Sequence, residues 1–353
     1  MSANSDIRAV IVGCQGATLT ENEKSLFAEM NPAGFILFQR NCISKRQVTD
    51  LIAEMRDCVG RKDAPVLIDQ EGGSVSRLKE PEWSEYASAK FFADIAYSDL
   101  ETACKAAFIN SQLMALDMVE MGITVNCAPV VDIPSPECHE FLSGSRAYGR
   151  DVETVAGLGQ AVCEGLLAGG ISPVLKHIPG HGRGQVDSHK SLPHVDAPYK
   201  ELSKIDFVPF REISKKDYGN SIWAMGAHVV YSDIDSDSAA TLSSKITNEV
   251  IRRDIGFQGL LIADDISMQA LDGSLADRAE ATLKAGMDLT LHCNGVLGEM
   301  TEILPVVPMM TDQALERMNR AEIMRLKKQS VGLKDREHLI KDFQMLVQKQ
   351  DVA

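Results

Sequence analysis

Gly259-Leu-Leu-Ile-Ala-Asp-Asp-Ile-Ser-Met268 runs through four apolar residues and then presents two adjacent carboxylates. An apolar run this short, with charge confined to its end, is the pattern of a strand buried on both faces of a parallel sheet. Seven further runs share that character, at residues 9–13, 34–38, 65–68, 123–132, 172–176, 222–230 and 288–292. Longer amphipathic stretches separate them. Parallel strands need crossovers, and helices supply them. Thr20-x-x-Glu23, Ser44-x-x-Gln47 and Ser98-x-x-Glu101 each match the capping-box pattern in front of such a stretch.

Eight strand–helix alternations predict an α/β fold, a single (β/α)8 barrel of the TIM type. An open doubly wound sheet is the competing arrangement. No G-x-G-x-x-G or G-x-x-x-x-G-K-[ST] follows any of the runs, which removes the main reason to prefer it. After Asn294 the chain passes Pro305 and Pro308 into two charged, helix-patterned stretches. The expected organisation is one catalytic domain over residues 1–353, with the barrel at about 7–305 and a C-terminal helical extension at about 311–350. No Pro/Gly/Ser-rich linker or short-period repeat interrupts it.

Lys and Arg together number 36 against 50 Asp and Glu, a net charge of −14, which argues against the basic face that nucleic acid requires. The N-terminal stretch MSANSDIRAVIVGCQG lacks a basic segment followed by a long apolar one, so no signal peptide is expected. No apolar run is long enough to cross a bilayer. The eight cysteines, at 14, 42, 58, 104, 127, 138, 163 and 293, are scattered and form no C-x-x-C pair. They read as free thiols in a reducing compartment, and a cytoplasmic location is expected. Nothing marks an oligomer, and a monomer is the default.

In such a barrel the active site gathers at the C-terminal ends of the strands. The residues there are Gln39 and Arg40, Asp69 and Glu71, Asn126 and Asp132, Lys176 and His177, His228, Asp264 and Asp265, and Asn294. Lys, His and paired Asp are costly at a buried rim unless they pair or do chemistry, so their recurrence points to an enzyme. The densest cluster is Lys176-His-Ile-Pro-Gly-His-Gly-Arg-Gly-Gln-Val-Asp-Ser-His189. Its Pro and Gly residues break regular structure, and at its far end Asp187 and His189 stand two apart. A carboxylate beside an imidazole can fix its tautomer and stabilise its protonated form.

Two other readings of that loop stay open. Its histidines could merely satisfy backbone groups, or His177, His181, Asp187 and His189 could ligate zinc or iron. The loop lacks H-E-x-x-H, and glycines hold ligands poorly. Of Asp264 and Asp265, one can project into the barrel mouth while the other turns to the following loop; both could instead be helix caps. Asp69, followed by Gln-Glu-Gly-Gly73, could accept hydrogen bonds from sugar hydroxyls. Arg77 and Arg146 are candidate donors to a polar ligand.

Taken together, these segments resemble glycoside hydrolase family 3, in particular its cytoplasmic, single-domain β-N-acetylglucosaminidases of bacterial peptidoglycan recycling. The family pattern K-H-F-P-G-H-G…D-S-H stands here as Lys176 to Gly182 and Asp187-Ser-His189. D-Q-E-G-G-x-V-x-R stands as Asp69 to Arg77, and D-D-x-S-M as Asp264 to Met268. Ile178 replaces the usual Phe, and His292 falls where the family is more apolar.

The resemblance implies Asp264 as nucleophile with Asp265 supporting the turn, and His189 as general acid/base with Asp187 as its partner. It implies that Asp69, Arg77, Arg146, Lys176 and His177 bind the GlcNAc unit, and that no metal or cofactor takes part. The implied reaction is retaining exo-hydrolysis of GlcNAc-1,6-anhydro-MurNAc, with or without its peptide, through a covalent glycosyl-Asp intermediate. Phosphorolysis on the same site, a metal-dependent hydrolase and a non-catalytic sugar-binding module are the alternatives.

Overall fold

The computed structural model describes residues 6–187 and 191–348. Eight strands close into a barrel in the order in which the chain makes them. They are β1 (Arg8–Val12), β2 (Pro32–Leu37), β3 (Val66–Ile68), β4 (Val125–Asn126), β5 (Ser172–Ile178), β6 (Trp223–Gly226), β7 (Leu260–Asp265) and β8 (Leu289–His292). Every neighbouring pair is parallel. Val10 opposite Thr290 and Ile11 opposite Leu291 close the ring. All six residues of β2 and all seven of β5 are buried, as strands enclosed by helices outside and packed side chains inside must be. The expected (β/α)8 barrel is therefore the fold.

Two runs were read as longer strands than the chain makes. Within 123–132 only Val125–Asn126 pairs regularly. Pro129 has no N–H to give a ladder, so the segment runs on irregularly beside β5, with Lys176 N–H donating to the Pro129 carbonyl and Val131 N–H to that of Lys176. Within 222–230 the barrel strand stops at Gly226. Val230–Tyr231 instead joins His194–Val195 and Asp235–Ala239 in a separate three-stranded sheet.

The helix starts show what a local pattern decides and what it leaves to geometry. Helix α1 (Glu21–Met30) carries the full capping box, with Thr20 and Glu23 each serving the other's backbone N–H. Helix α2 (Lys45–Cys58) is capped by Ser44, but Gln47 reaches past it to the N–H of Ile43. Before α3 (Leu100–Met121) the cap is Asp99 rather than Ser98: Asp99 accepts from Thr102 N–H, while the Ser98 hydroxyl turns back to Ile95. An Asp one residue nearer the helix is at least as good a cap as Ser.

The C-terminal extension is helical as expected, in α4 (Asp312–Lys328) and α5 (Arg336–Gln348). Asp117, buried in α3, holds the second of these. It accepts from Arg336 at 2.8 and 3.2 Å and from the Tyr86 hydroxyl at 2.5 Å. Burial, then the Asp117 charge, pushes the Tyr86 phenol far up, so it remains a donor. Asp117→Ala is expected to cost about 2 kcal/mol, the scale of a lost charge-assisted pair. Hydrogen exchange checks where: amides of 336–348 should lose protection first, ahead of the barrel strands.

Candidate active site

Immediately after β3 the backbone stays extended through Asp69, Gln70 and Glu71, so side chains alternate and the two carboxylates face the same way. Gln70 points oppositely, is buried, and accepts from the N–H groups of Arg77 and Leu78 at 2.8 and 3.0 Å. It thereby ties the returning arm of a short hairpin to its start. From across the barrel mouth, Lys176 on β5 places its Nζ 2.9 Å from Asp69 Oδ1 and 2.8 Å from Glu71 Oε1. Arg146 clasps Glu71 with Nε and Nη2, both at 2.8 Å, and lies 4.4 Å over the Phe141 ring. Arg77 completes the set at 3.1 Å from Asp69.

Burial dictates the electrostatics. For Glu71, burial raises the carboxyl, but Arg146 and Lys176 outweigh it and hold the group down to about 2. Asp69 is likewise raised by burial and brought well below the usual carboxylate range by Lys176 and Arg77. Desolvation opposes the charge on Lys176, and the two carboxylates more than restore it, leaving its ammonium above its ordinary value. Both acids are thus ionised at neutral pH and Lys176 is charged. Their contribution to stability is present above the unfolded carboxylate range and is lost as pH falls toward 2.

A second cluster forms where β5 ends. Asp132 accepts from the ring Nδ1 of His177 at 2.7 Å, from its backbone N–H at 3.2 Å, and from the N–H of His181 at 2.6 Å. Burial raises the Asp132 carboxyl and His177 pulls it down further, so the net shift is downward. Gly182 fixes the loop against this point. A Cβ there would lie 2.0 Å from the carbonyl oxygen of Ile133, while Ser135 N–H donates to the Gly182 carbonyl.

On β7 the adjacent acids divide. Asp264 lines the cavity. Asp265 turns away, accepting from Ser267 N–H at 3.0 Å, the Ser267 hydroxyl at 2.6 Å and Cys293 N–H at 3.2 Å. Its own N–H donates to Asp264 at 2.8 Å, which orients the first carboxylate through the second residue. Fully buried His228 donates from Nε2 to the Asp265 carbonyl and receives the Thr241 hydroxyl at Nδ1, pinning the end of β7.

Asp69, Arg77, Arg146, Lys176, His177 and Asp264 therefore meet around one cavity of about 490 Å³. Ligand pockets run to roughly 300–1,000 Å³. Asp187 is described and half-buried, with its carbonyl accepting from Ser191 N–H, and it is not among the lining residues. His189 lies outside the described residues. Among the other rim positions, Arg40 donates to the carbonyls of Cys14 and Cys293, Asn126 exchanges bonds with the Gln70 backbone, and Asn294 contacts Glu299. They build the rim rather than line the cavity. His292, buried in β8, sets its Nε2 2.7 Å from Glu299.

Three residues play parts in the site that the sequence did not assign: Glu71 and Asp132, read only as strand-end residues, and His181, read only as a possible metal ligand. Glu71 had a usable signal, since it stands two residues after Asp69 on extended chain. Asp132 had none, because its partners come from a loop 45 and 49 residues on. Lys176→Met is expected to destabilise the protein by about 3 kcal/mol at neutral pH, because it removes the cation that two buried carboxylates share and leaves each with its arginine alone. Urea melts should show the deficit narrowing as pH falls through the ordinary carboxylate range, where the under-compensated groups take up protons.

Comparison with known proteins gives the family and the same architecture. The family model described as the glycosyl hydrolase family 3 N terminal domain matches residues 6–324. A beta-hexosaminidase from Psychromonas ingrahamii is 31% identical over 341 residues, covering 95% of this chain and 98% of the relative. One from Idiomarina loihiensis is 32% identical over 313 residues, covering 88% and 91%. The crystal structure of NagZ from Neisseria gonorrhoeae in complex with N-trifluoroacetyl-D-glucosamine is 28% identical and covers 98% of this chain and 97% of that one, with a TM-score of 0.84. The family 3 β-N-acetylglucosaminidase of Paenibacillus sp. str. FPU-7, 24% identical with a TM-score of 0.81 over 97% of this chain and 68% of its own, shares the fold.

Proposed function

The chain belongs to glycosyl hydrolase family 3, and on that premise we propose that it is a retaining exo-β-N-acetylglucosaminidase. The observation that carries the reading is the placement of Asp264 at the wall of a sugar-sized cavity whose other wall is the paired Asp69–Lys176–Glu71–Arg146 cluster. Relatives named beta-hexosaminidase match nearly end to end, which supports an N-acetylhexosamine as the sugar. In this scheme Asp69, Arg77, Arg146, Lys176 and His177 hold the GlcNAc ring. The Nη1 of Arg146 has no hydrogen-bond partner among the described residues and remains to serve the ligand.

Asp264, held by the N–H of Asp265, attacks the anomeric carbon while His189 protonates the departing oxygen. Water activated by His189 then cleaves the glycosyl-Asp264 ester, and two inversions give net retention. Asp187 orients the imidazole, whose ordinary titration range suits acid and base roles in turn near neutral pH. The natural substrate in this reading is GlcNAc-1,6-anhydro-MurNAc, with or without peptide, in cytoplasmic cell-wall recycling by one single-domain chain. Eight unpaired cysteines suit a reducing compartment, and no helix of the described residues is long and apolar enough to cross a membrane.

Cleavage of 4-nitrophenyl β-N-acetylglucosaminide, unaffected by EDTA or phosphate, is the expected activity; release of GlcNAc-1-phosphate instead would reassign the reaction to phosphorolysis. Asp264→Ala should lower kcat by about 10⁶-fold, the scale seen when a nucleophile is removed. His189→Ala should harm substrates with poor leaving groups more than activated aryl ones, and equal losses on both would contradict the acid role.

A further inference from the structure

One side chain in the cavity has no task in that mechanism. His181 is 3% exposed and lines the cavity beside His177, Met225 and Asp264. Neither its Nδ1 nor its Nε2 has a hydrogen-bond partner among the described residues. Buried polar side chains are nearly always paired, so an orphaned imidazole facing a ligand cavity points to a partner that arrives with the ligand. His177, its neighbour, shows the contrast: its Nδ1 is already committed to Asp132 at 2.7 Å.

The surrounding chain seats this ring. The backbone N–H of His181 is anchored on Asp132 at 2.6 Å, and its ring stands edge-on to that of His177 with centroids 5.7 Å apart. On a further side lies Gly184, where a Cβ would come within 2.9 Å of the ring carbon Cε1 and 3.1 Å of Nδ1. The ring is therefore wedged in place. The groups acting on its charge are His177, which disfavours it, and Asp132 and Asp264, which favour it; burial is stronger than all three and takes the imidazole down to about 4. At neutral pH it carries one N–H donor and one lone-pair acceptor, both unspent. The acids, Lys176 and the arginines of the lining are charged, and the Ser74 hydroxyl already bonds to Ser145, so among the described lining residues His181 stands out as a neutral ring with both a donor and an acceptor to offer.

We propose that His181 is a direct ligand-contact residue whose neutral imidazole exchanges a hydrogen bond with a hydroxyl of the amino sugar bound beside Asp264. The inference rests on the glycosidase reading above and adds to it a specificity contact. It separates His181 from a structural histidine in a measurable way. A structural imidazole stabilises the empty protein; this one is unsatisfied until the sugar enters.

The test uses the full chain, with GlcNAc as the binding probe and 4-nitrophenyl β-N-acetylglucosaminide as the substrate. His181→Leu, apolar and of similar volume, should melt no lower than the unaltered enzyme without ligand. It should bind GlcNAc about 10-fold or more weakly, the scale of one lost hydrogen bond in a dry site. His181→Gln, which keeps a donor and an acceptor, should recover most of that binding. In His181→Ala, free imidazole should restore GlcNAc affinity. A folded His181→Leu that binds GlcNAc and turns over substrate within about twofold of the unaltered enzyme overturns the proposal, as does an Ala variant that imidazole leaves unchanged. If the unaltered enzyme itself neither binds GlcNAc nor cleaves the aryl glycoside, the glycosidase reading fails and takes this inference with it.

Discussion

Everything at the mouth of this barrel depends on the Lys176 ammonium lying between the carboxylates of Asp69 and Glu71. The interior of the barrel is apolar by necessity, because parallel strands covered by helices have no wet face. Ionised groups can be tolerated only at the strand ends, and there only in mutual compensation. Lys176 comes from β5 and its partners follow β3, so the interaction spans the mouth above β4. It turns two costly buried acids into a fixed, charged wall. Arg77 takes the other oxygen of Asp69, and Arg146 grips both oxygens of Glu71, sharing Oε1 with Lys176, which is why the carboxyls stay ionised despite burial.

At the end of β7 the two adjacent acids divide the work. Asp265 takes up the local N–H and hydroxyl donors at the end of β7, and its neighbour Asp264 is left facing the cavity. Asp132 does the same for the loop after β5, binding two backbone N–H groups and one ring nitrogen, so that His177 and His181 have fixed positions. The close approach of Gly182 to Ile133 makes that seating possible. Fixed polar groups need no reorganisation when charge develops in a reaction, and rigid strands carry them better than loops do.

Much of this was legible in the order of residues. Eight apolar runs with charge at their ends mark the strands, because burial on both faces makes each a near-continuous apolar run too short for a helix. The Thr20 capping box was readable because both partners lie within one turn. Reading failed where the outcome depends on a distant surface. Pro129 and the Gly226 to Val230 step look like continuous apolar strand, yet the first lacks a ladder donor and the second is drawn into another sheet. Ser98 lost the cap to Asp99 through a competition that a four-residue pattern does not register. Among site residues, motif positions located Asp69, Lys176 and Asp264 at the cavity, whereas the partnership of Asp132 with His177 and His181 became visible only once the loop was folded back over the strand that precedes it.

The central claim is that Asp264 forms a covalent bond to the sugar. Its most direct measurement is mass spectrometry of the acid-quenched His189→Ala variant after mixing with an activated aryl β-N-acetylglucosaminide, conditions that let the first step outrun the second. The account predicts a peptide containing Asp264 carrying one N-acetylhexosaminyl unit. The same adduct on a different residue, or a variant that releases aryl alcohol in a burst without any adduct, would contradict it.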